Sequence, residues 1–374
     1  MVYLDYSATT PPCSDVIDEF VLASRKYIGN PNSVHNLGIN AKKRIDYATK
    51  NILNILNLDS NDVIYTSGSS EANNLAIKGV CAANKGKHII TTTYEHSSVI
   101  GPINRLCSNG YDVSFVKLNS NGTVDIDDLK NIIRDDTVLV SIVGVESEVG
   151  IKQNIDEIGL LLEKYPNCYF HVDATQMVGK TDFDFYKVDL VSFSAHKFFG
   201  IKGIGCLIKK NSVKIMPQID GGSSTTKYRS GTPALELIVS LEKALSIALK
   251  EIESKYDYVK NISDDIKKFL SKYENVEINS TESSIPQIIN FSVNDSKALV
   301  SMLNDNEVYL STKSACSLSD SASKTIMTLY NDEQRAKNSI RISVSYKTTK
   351  EEIEEFKNIF DRCYKKLVTN NENN

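Results

Sequence analysis

No stretch of this sequence approaches the roughly 18 continuous apolar residues that a membrane helix needs, and Met1 to Thr10 lacks the basic start and apolar run of a signal peptide. Neither a membrane span nor an exported precursor is therefore expected, and the chain is expected in the cytoplasm. Charge of one sign is missing too. Lys plus Arg number 43 against 47 for Asp plus Glu, a net charge of -4, so there is no electrostatic footprint for direct nucleic-acid binding. Seven cysteines, at positions 13, 81, 107, 168, 206, 316 and 363, show no CxxC spacing. Zinc-ribbon and thioredoxin-like readings fall away, and no metal site is expected. There is no internal repeat, no linker rich in proline or glycine, and one low-complexity run, which is rich in serine.

What is present belongs to a globular protein, with 41% hydrophobic and 24% charged residues. At 374 residues the chain is too long for one small core, and two domains are expected. Apolar β-rich runs at Val63 to Thr66, His88 to Thr92, Val113 to Leu118, Val138 to Val143, Cys168 to Val172, Leu190 to Ser194 and Gly205 to Ile208 read as strands. Helical spacing lies between several of them, at Ala72 to Ala83, Ile126 to Ile133 and Ile155 to Glu163. That rhythm predicts an α/β fold with a mostly parallel central sheet and helices on both faces. A helical stretch from Ala234 to about Lys272 then leads to a smaller α/β region, with strands at Ile288 to Val293, Val308 to Ser311 and Ile340 to Val344 and helices at Lys297 to Leu303 and Glu351 to Leu367.

Val191 to Gly200 reads VSFSAHKFFG, a strand that stops at Lys197 behind Ser194 and His196. A lysine amine condenses with an aldehyde, as pyridoxal 5'-phosphate (PLP) requires, and that cofactor also needs phosphate donors and a carboxylate for its ring nitrogen. Such a carboxylate ends another apolar strand at Asp173, in YFHVDATQ. Ligands of parallel α/β sheets collect at the carboxyl ends of strands, so Asp173 and Lys197 can face one pocket. Phosphate favours a helix N-terminus. Thr66 to Asn74, TSGSSEANN, offers one: a strand end, Gly68 for the turn, hydroxyls at Ser69 and Ser70, and a helix starting at about Glu71. Cys81, Cys107, Cys168 and Cys206 lie in or near apolar runs and read as reduced, buried small hydrophobes. Cys316 sits in STKSACSLSDSASK, which reads as an exposed, mobile loop.

Taken in order, YLDYSATT, NPNSVH, TSGSSEANN, Glu95 with His96, HVDATQ, SAHK, RSGT, SAC and SIRIS resemble the cysteine desulfurases, PLP enzymes of the class V aminotransferase group with the type I PLP-dependent transferase fold. The likeness covers nearly the whole chain. It implies a large PLP-binding domain over residues 14–257 and a small domain from 1–13 with 258–374. It implies that Lys197 holds PLP, that Ser194, His196 and the Ser70 hydroxyl, beside Ser69 in the same cofactor cup, bind its phosphate, and that Thr232 reaches that phosphate from the second subunit of a homodimer. His96 would stack on the ring and shuttle protons, Gln176 would bond the ring oxygen, and Asp173 would keep the ring nitrogen protonated. Arg341 would pair with the carboxylate of L-cysteine, with Ser147 near it, and the Cys316 thiolate would take the substrate sulfur as a persulfide, leaving alanine. The long SAC loop resembles the group that passes sulfur to an iron-sulfur scaffold or a tRNA thiolation enzyme.

Several positions depart from that pattern. VESEVG places Glu146 and Ser147 where the family has two asparagines, and Glu146 adds a negative charge beside a site for a carboxylate unless it points away. DGGSSTTK, Ile201, Ser345 and Tyr346 also differ from the family's usual residues. These changes keep two other readings in view: a related PLP enzyme, such as a selenocysteine lyase or an aminotransferase, and a sulfur-donor component with little activity until a partner arrives.

Overall fold

The computed structural model describes residues 1–224, 226–312 and 322–372. In chain order its strands are β1 (Val2–Tyr3), β2 (Asn61–Thr66), β3 (His88–Thr91), β4 (Asp112–Phe115), β5 (Thr137–Val143), β6 (Tyr169–Asp173), β7 (Leu190–Ser194), β8 (Gly205–Lys210), β9 (Val276–Ile278), β10 (Ile288–Val293), β11 (Val308–Tyr309) and β12 (Ser339–Ser343). The helices are α1 (Ser14–Lys26), α2 (Asn36–Leu56), α3 (Ser69–Ala83), α4 (Ser97–Cys107), α5 (Ile126–Ile132), α6 (Ile155–Leu162), α7 (Leu235–Leu249), α8 (Ile252–Leu270), α9 (Ser296–Asp305), α10 (Lys324–Tyr330), α11 (Glu333–Lys337) and α12 (Lys350–Glu372).

Seven strands form the main sheet in the order β2-β8-β7-β6-β5-β3-β4. Every residue of β5 is buried, as in a sheet covered on both faces, and its run TVLVSIV supplies the apolar side chains for both. All neighbours pair in parallel except β8, which runs antiparallel to both β2 and β7. Because β8 is reversed against each of its neighbours, β2 runs the same way as β7. The carboxyl ends of β2, β7, β6, β5 and β3 therefore lie along one edge of the sheet, and the segments leaving them share one space.

A second sheet, β12-β10-β9, is antiparallel. It has its own apolar core, which gathers Val2 and Leu4 with Ile266, Phe291, Ile342, Phe356 and Phe360. The N-terminal segment ties this core to the main sheet. Leu4 O accepts from Ser343 N at 2.7 Å, Ser7 N donates to Ser343 Oγ at 2.9 Å, and Thr10 N donates to His196 O at 2.9 Å.

The expected architecture is found, with differences in detail. The stretch from Ala234 to Lys272 is two helices, broken where Glu251 takes a left-handed φ of 57°. The strand expected to reach Leu118 stops at Phe115, and Leu118 makes an isolated bridge with Val124. The helix expected from about Glu71 begins at Ser69. Cys81, Cys168 and Cys206 are buried as expected, but Cys107, the last residue of α4, is exposed because the buried face of that helix is Val99, Pro102, Ile103 and Leu106. No helix among the described residues is long and apolar enough to cross a membrane.

Gly205 is where the sheet meets the turn after β2. A Cβ there would stand 2.5 Å from Phe193 O and 2.8 Å from Gly68 Cα. Gly205→Ala is expected to cost about 1–3 kcal/mol through this overpacking and to displace the turn that carries Ser69 and Ser70. Urea unfolding checks it, and an unchanged midpoint would contradict the close-approach argument.

Candidate active site

A cavity of about 200 Å³ opens at the shared strand edge, and among its lining residues are Ser69, Ser70, His96, Ser147, Asp173, Gln176, His196, Lys197 and Arg341. They come from six departures of the chain. Ser69 and Ser70 open α3 after β2, and His96 is the residue before α4. Ser147 follows β5, Asp173 ends β6, and Lys197 closes a single 3-10 turn, Ala195–Lys197, after β7. Arg341 alone arrives from the second sheet, in the middle of β12.

Lys197 Nζ donates to the carbonyl oxygens of Ser7 and Ala8 at 2.8 and 2.9 Å. The N-terminal segment thus holds the amine at the cavity wall. Gln176 Nε2 donates to the same Ser7 carbonyl at 2.9 Å, and Lys180 Nζ donates to Gln176 Oε1. Burial holds the Lys180 amine well below the ordinary lysine range, and the Lys197 and Arg341 charges push the same way.

Asp173 is 4% exposed and well supplied with donors. Its Oδ1 accepts from Thr175 N and Thr175 Oγ1, and its Oδ2 accepts from Asn73 Nδ2 at 2.8 Å. Two residues earlier on β6, His171 bridges Ser141 Oγ and Ser192 Oγ on the flanking strands. Burial pulls its pKa down to about 4, so it is a neutral link across the sheet. His196 is likewise lowered to about 4, by burial first and then by the lysines at 197, 202 and 180. A neutral imidazole keeps one N-H donor, which suits hydrogen bonding more than ion pairing.

Arg341 is 1% exposed and pairs with Asp5 at 2.8 Å. Nη1 donates to Ser147 O at 2.9 Å, and Nε is buried with no hydrogen-bond partner among the described residues. Glu146 turns away from the cavity. Its carboxyl accepts from Glu148 N at 2.7 Å, Val149 N at 2.6 Å and Thr325 Oγ1 at 3.2 Å. Burial, with Glu148 beside it, pushes its pKa up to about 7. The added acid at this position therefore faces the start of α10 and not Arg341.

The donor set fits PLP. One amine can take its aldehyde, one buried carboxylate can face its ring nitrogen, and hydroxyls at the first turn of α3 can meet its phosphate. The cavity gathers Ser69, Ser70, His96, Ser147, Asp173, Gln176, His196, Lys197 and Arg341, but two expected residues are not on its wall. Ser194 is buried at the end of β7, 3.5 Å from Ile204 O. Thr232 lines a separate hollow with Thr66, Ser67 and Arg229. Cys316 lies outside the described residues. Sequence reasoning gave no role to Ser7, Ala8, Asp5, Asn73 or Thr175. Asp5, Ser7 and Ala8 stood in YLDYSATT, Asn73 in TSGSSEANN and Thr175 in HVDATQ, so the motifs were quoted but these members of them were passed over.

Comparison with known proteins supports one family. The description "Aminotransferase class-V" matches residues 2–356. A protein named cysteine desulfurase IscS from Dictyoglomus turgidum is 36% identical over 377 aligned residues, covering 98% of this chain and 95% of its own. A NifS/IcsS protein homolog from Lactobacillus delbrueckii subsp. bulgaricus is 36% identical, covering 97% of each chain. A solved structure titled "NIFS-like protein" superposes with a TM-score of 0.90 at 30% identity, over 98% of this chain and 99% of that one.

One buried acid behind the site yields a pH test. Glu95 Oε1 accepts from Thr92 Oγ1 and Val143 N, both at 2.8 Å, while Oε2 is buried without a partner. Burial raises its pKa to about 8. The folded protein then keeps a proton that the unfolded chain releases near the ordinary carboxylate pKa, so this group lowers stability as pH rises towards 8 and adds nothing further beyond it. Glu95→Gln keeps the accepting oxygen and removes the titration. Its stability advantage over the unmodified chain is expected to widen between about pH 4.5 and pH 8 and then level off, by a few kcal/mol at most. Denaturant unfolding at several pH values reads the gap, and one that stays constant or narrows would contradict the assignment.

Proposed function

The chain belongs to the class-V aminotransferase family, and from that membership we propose that it is a PLP-dependent cysteine desulfurase, converting L-cysteine to L-alanine and passing the sulfur on through Cys316. The observation that carries the reading is the meeting of the Lys197 amine, the Asp173 carboxylate and the Arg341 guanidinium in one cavity. Relatives named cysteine desulfurase, matched along nearly the whole chain, support it.

When bound, PLP supplies an electron sink that lets a substrate amino acid lose a proton from Cα. The chain's own residues do the rest. Lys197 would hold the cofactor at its aldehyde carbon and, as a free amine, would be the base beside the substrate Cα. Asp173, fixed by three donors, would face the ring nitrogen and keep it protonated. Ser69, Ser70, Ser194 and His196 serve the phosphate, with Ser194 closing the end of β7 behind the cavity wall. Gln176, whose amide is held between Ser7 O and Lys180, serves the ring oxygen. Arg341, clamped by Asp5 and Ser147 O, orients the substrate carboxylate through its unpaired edge. The Cys316 thiolate attacks the substrate sulfur. An S–S bond forms, the substrate C–S bond breaks, and the carbon gains a proton as alanine leaves.

The same reading takes residues 14–257 as a large PLP-binding domain and 1–13 with 258–374 as a small one, supported by the separate core that Val2 and Leu4 share with the C-terminal elements. It takes the chain as a cytoplasmic homodimer in which Thr232 serves the partner's phosphate site. Support comes from the position of Thr232 outside its own cavity and from exposed Ile28, Leu37 and Tyr47 around one hollow between α1 and α2. The acceptor is an iron-sulfur scaffold or a tRNA thiolation enzyme.

PLP-loaded protein given L-cysteine is expected to release alanine and to carry one extra sulfur on the Cys316 peptide by mass spectrometry. Cys316→Ala should lose the persulfide, and Lys197→Ala should lower alanine formation by roughly 10²–10⁴-fold, the usual contribution of a general base. Cofactor bound with neither alanine nor persulfide formed would contradict the proposal.

A further inference from the structure

His96 caps α4, and the way it does so fixes which ring nitrogen carries hydrogen. Nδ1 accepts from the backbone N-H of Ser98 at 3.1 Å and lies 2.8 Å from Ser98 Oγ. Behind Ser98 stands Asn73, fully buried on α3. Its Nδ2 donates to Ser98 Oγ at 2.9 Å and to Asp173 Oδ2 at 2.8 Å.

The hydrogens of this chain can be placed from one end. Asn73 turns its NH2 towards Asp173 Oδ2; the flipped amide would set oxygen against oxygen. Both amide hydrogens are then committed, and Asn73 Oδ1 is left buried without a partner among the described residues. Ser98 Oγ receives one of them, which leaves its own hydrogen for His96 Nδ1. Nδ1 therefore faces two donors, and a hydrogen on it would clash with both.

We propose that His96 enters the reaction as a single tautomer with its hydrogen on Nε2, and that Asn73 and Ser98 are positioning residues that set it, relaying the acceptor character of Asp173 to the imidazole. Nε2 is the nitrogen left for the cavity that His96 lines. The ring thus offers a hydrogen to an acceptor there, and that nitrogen has no lone pair with which to take a proton. Gaining one at Nδ1 would make it a cation, which burial opposes most; Asp173 favours that cation and Lys197 opposes it. Proton removal from substrate falls to Lys197, and His96 donates. Only this last consequence rests on the desulfurase reading, because the tautomer is a property of the folded chain.

The test is nitrogen NMR of full-length protein labelled at its five histidines, with and without PLP, using His96→Gln to identify the His96 signals. The expected pattern is an unprotonated Nδ1 and a protonated Nε2. Ser98→Ala should move the tautomer ratio roughly five-fold towards Nδ1-H, the effect of one hydrogen bond, and should lower kcat with KM unchanged. Ser98→Thr, which keeps the hydroxyl, should restore both. A hydrogen on Nδ1 in the unmodified protein would overturn the proposal, as would a ratio that neither Ser98→Ala nor Asn73→Ala changes. The expected tautomer in a protein that makes no alanine from cysteine would uphold the relay and count against the desulfurase reading instead.

Discussion

The parallel register of β6 against β7, with Asp173 opposite Ser192, is the constraint on which this site depends. It fixes the acid at one strand end and brings the amine of Lys197 out of the next, on the same edge. A slip of one residue would turn Asp173 to the other face of the sheet. The register is strongly held because both strands are buried along almost their whole length, and because His171 reaches Ser141 on one side and Ser192 on the other. A neutral, fully satisfied histidine inside a sheet links three strands without placing a charge in the core.

A second constraint is the N-terminal segment. Its first residues belong to the smaller core, and its carbonyls at Ser7 and Ala8 hold Lys197. Asp5 in the same segment pairs with buried Arg341. Breaking a buried pair by removing one partner costs about 3–5 kcal/mol, so Arg341 is firmly placed. Amine and guanidinium are thus spaced by one stretch of chain that touches both, and a shift of the smaller core against the main sheet would be felt at Lys197 as well as at Arg341.

The fold was legible where sequence signals are local. Apolar runs bounded by turns marked the strands of the main sheet, and Asp173 and Lys197 stood out because each ends such a run. Less was legible where partners come from far along the chain. The direction of Glu146 depends on Thr325, 179 residues away, and on two backbone N-H groups of its own turn. Asn73 and Ser98 look like ordinary polar residues near the starts of helices, and their link appears only when α3 and α4 pack side by side. The break between α7 and α8 was hidden because Glu251, a common helix residue, takes the left-handed conformation without a glycine to announce it. The strand read at Val308 to Ser311 is present as β11, but its partner β1, two residues long and more than 300 residues away, is too short for any pattern.

The claim at the centre of this account is that Lys197, and not its buried neighbour Lys180, holds the cofactor. Borohydride reduction of PLP-loaded protein followed by peptide mapping tests it directly. The account expects one pyridoxyl group per chain, on Lys197; a stoichiometric group on Lys180 or on any other lysine would contradict it.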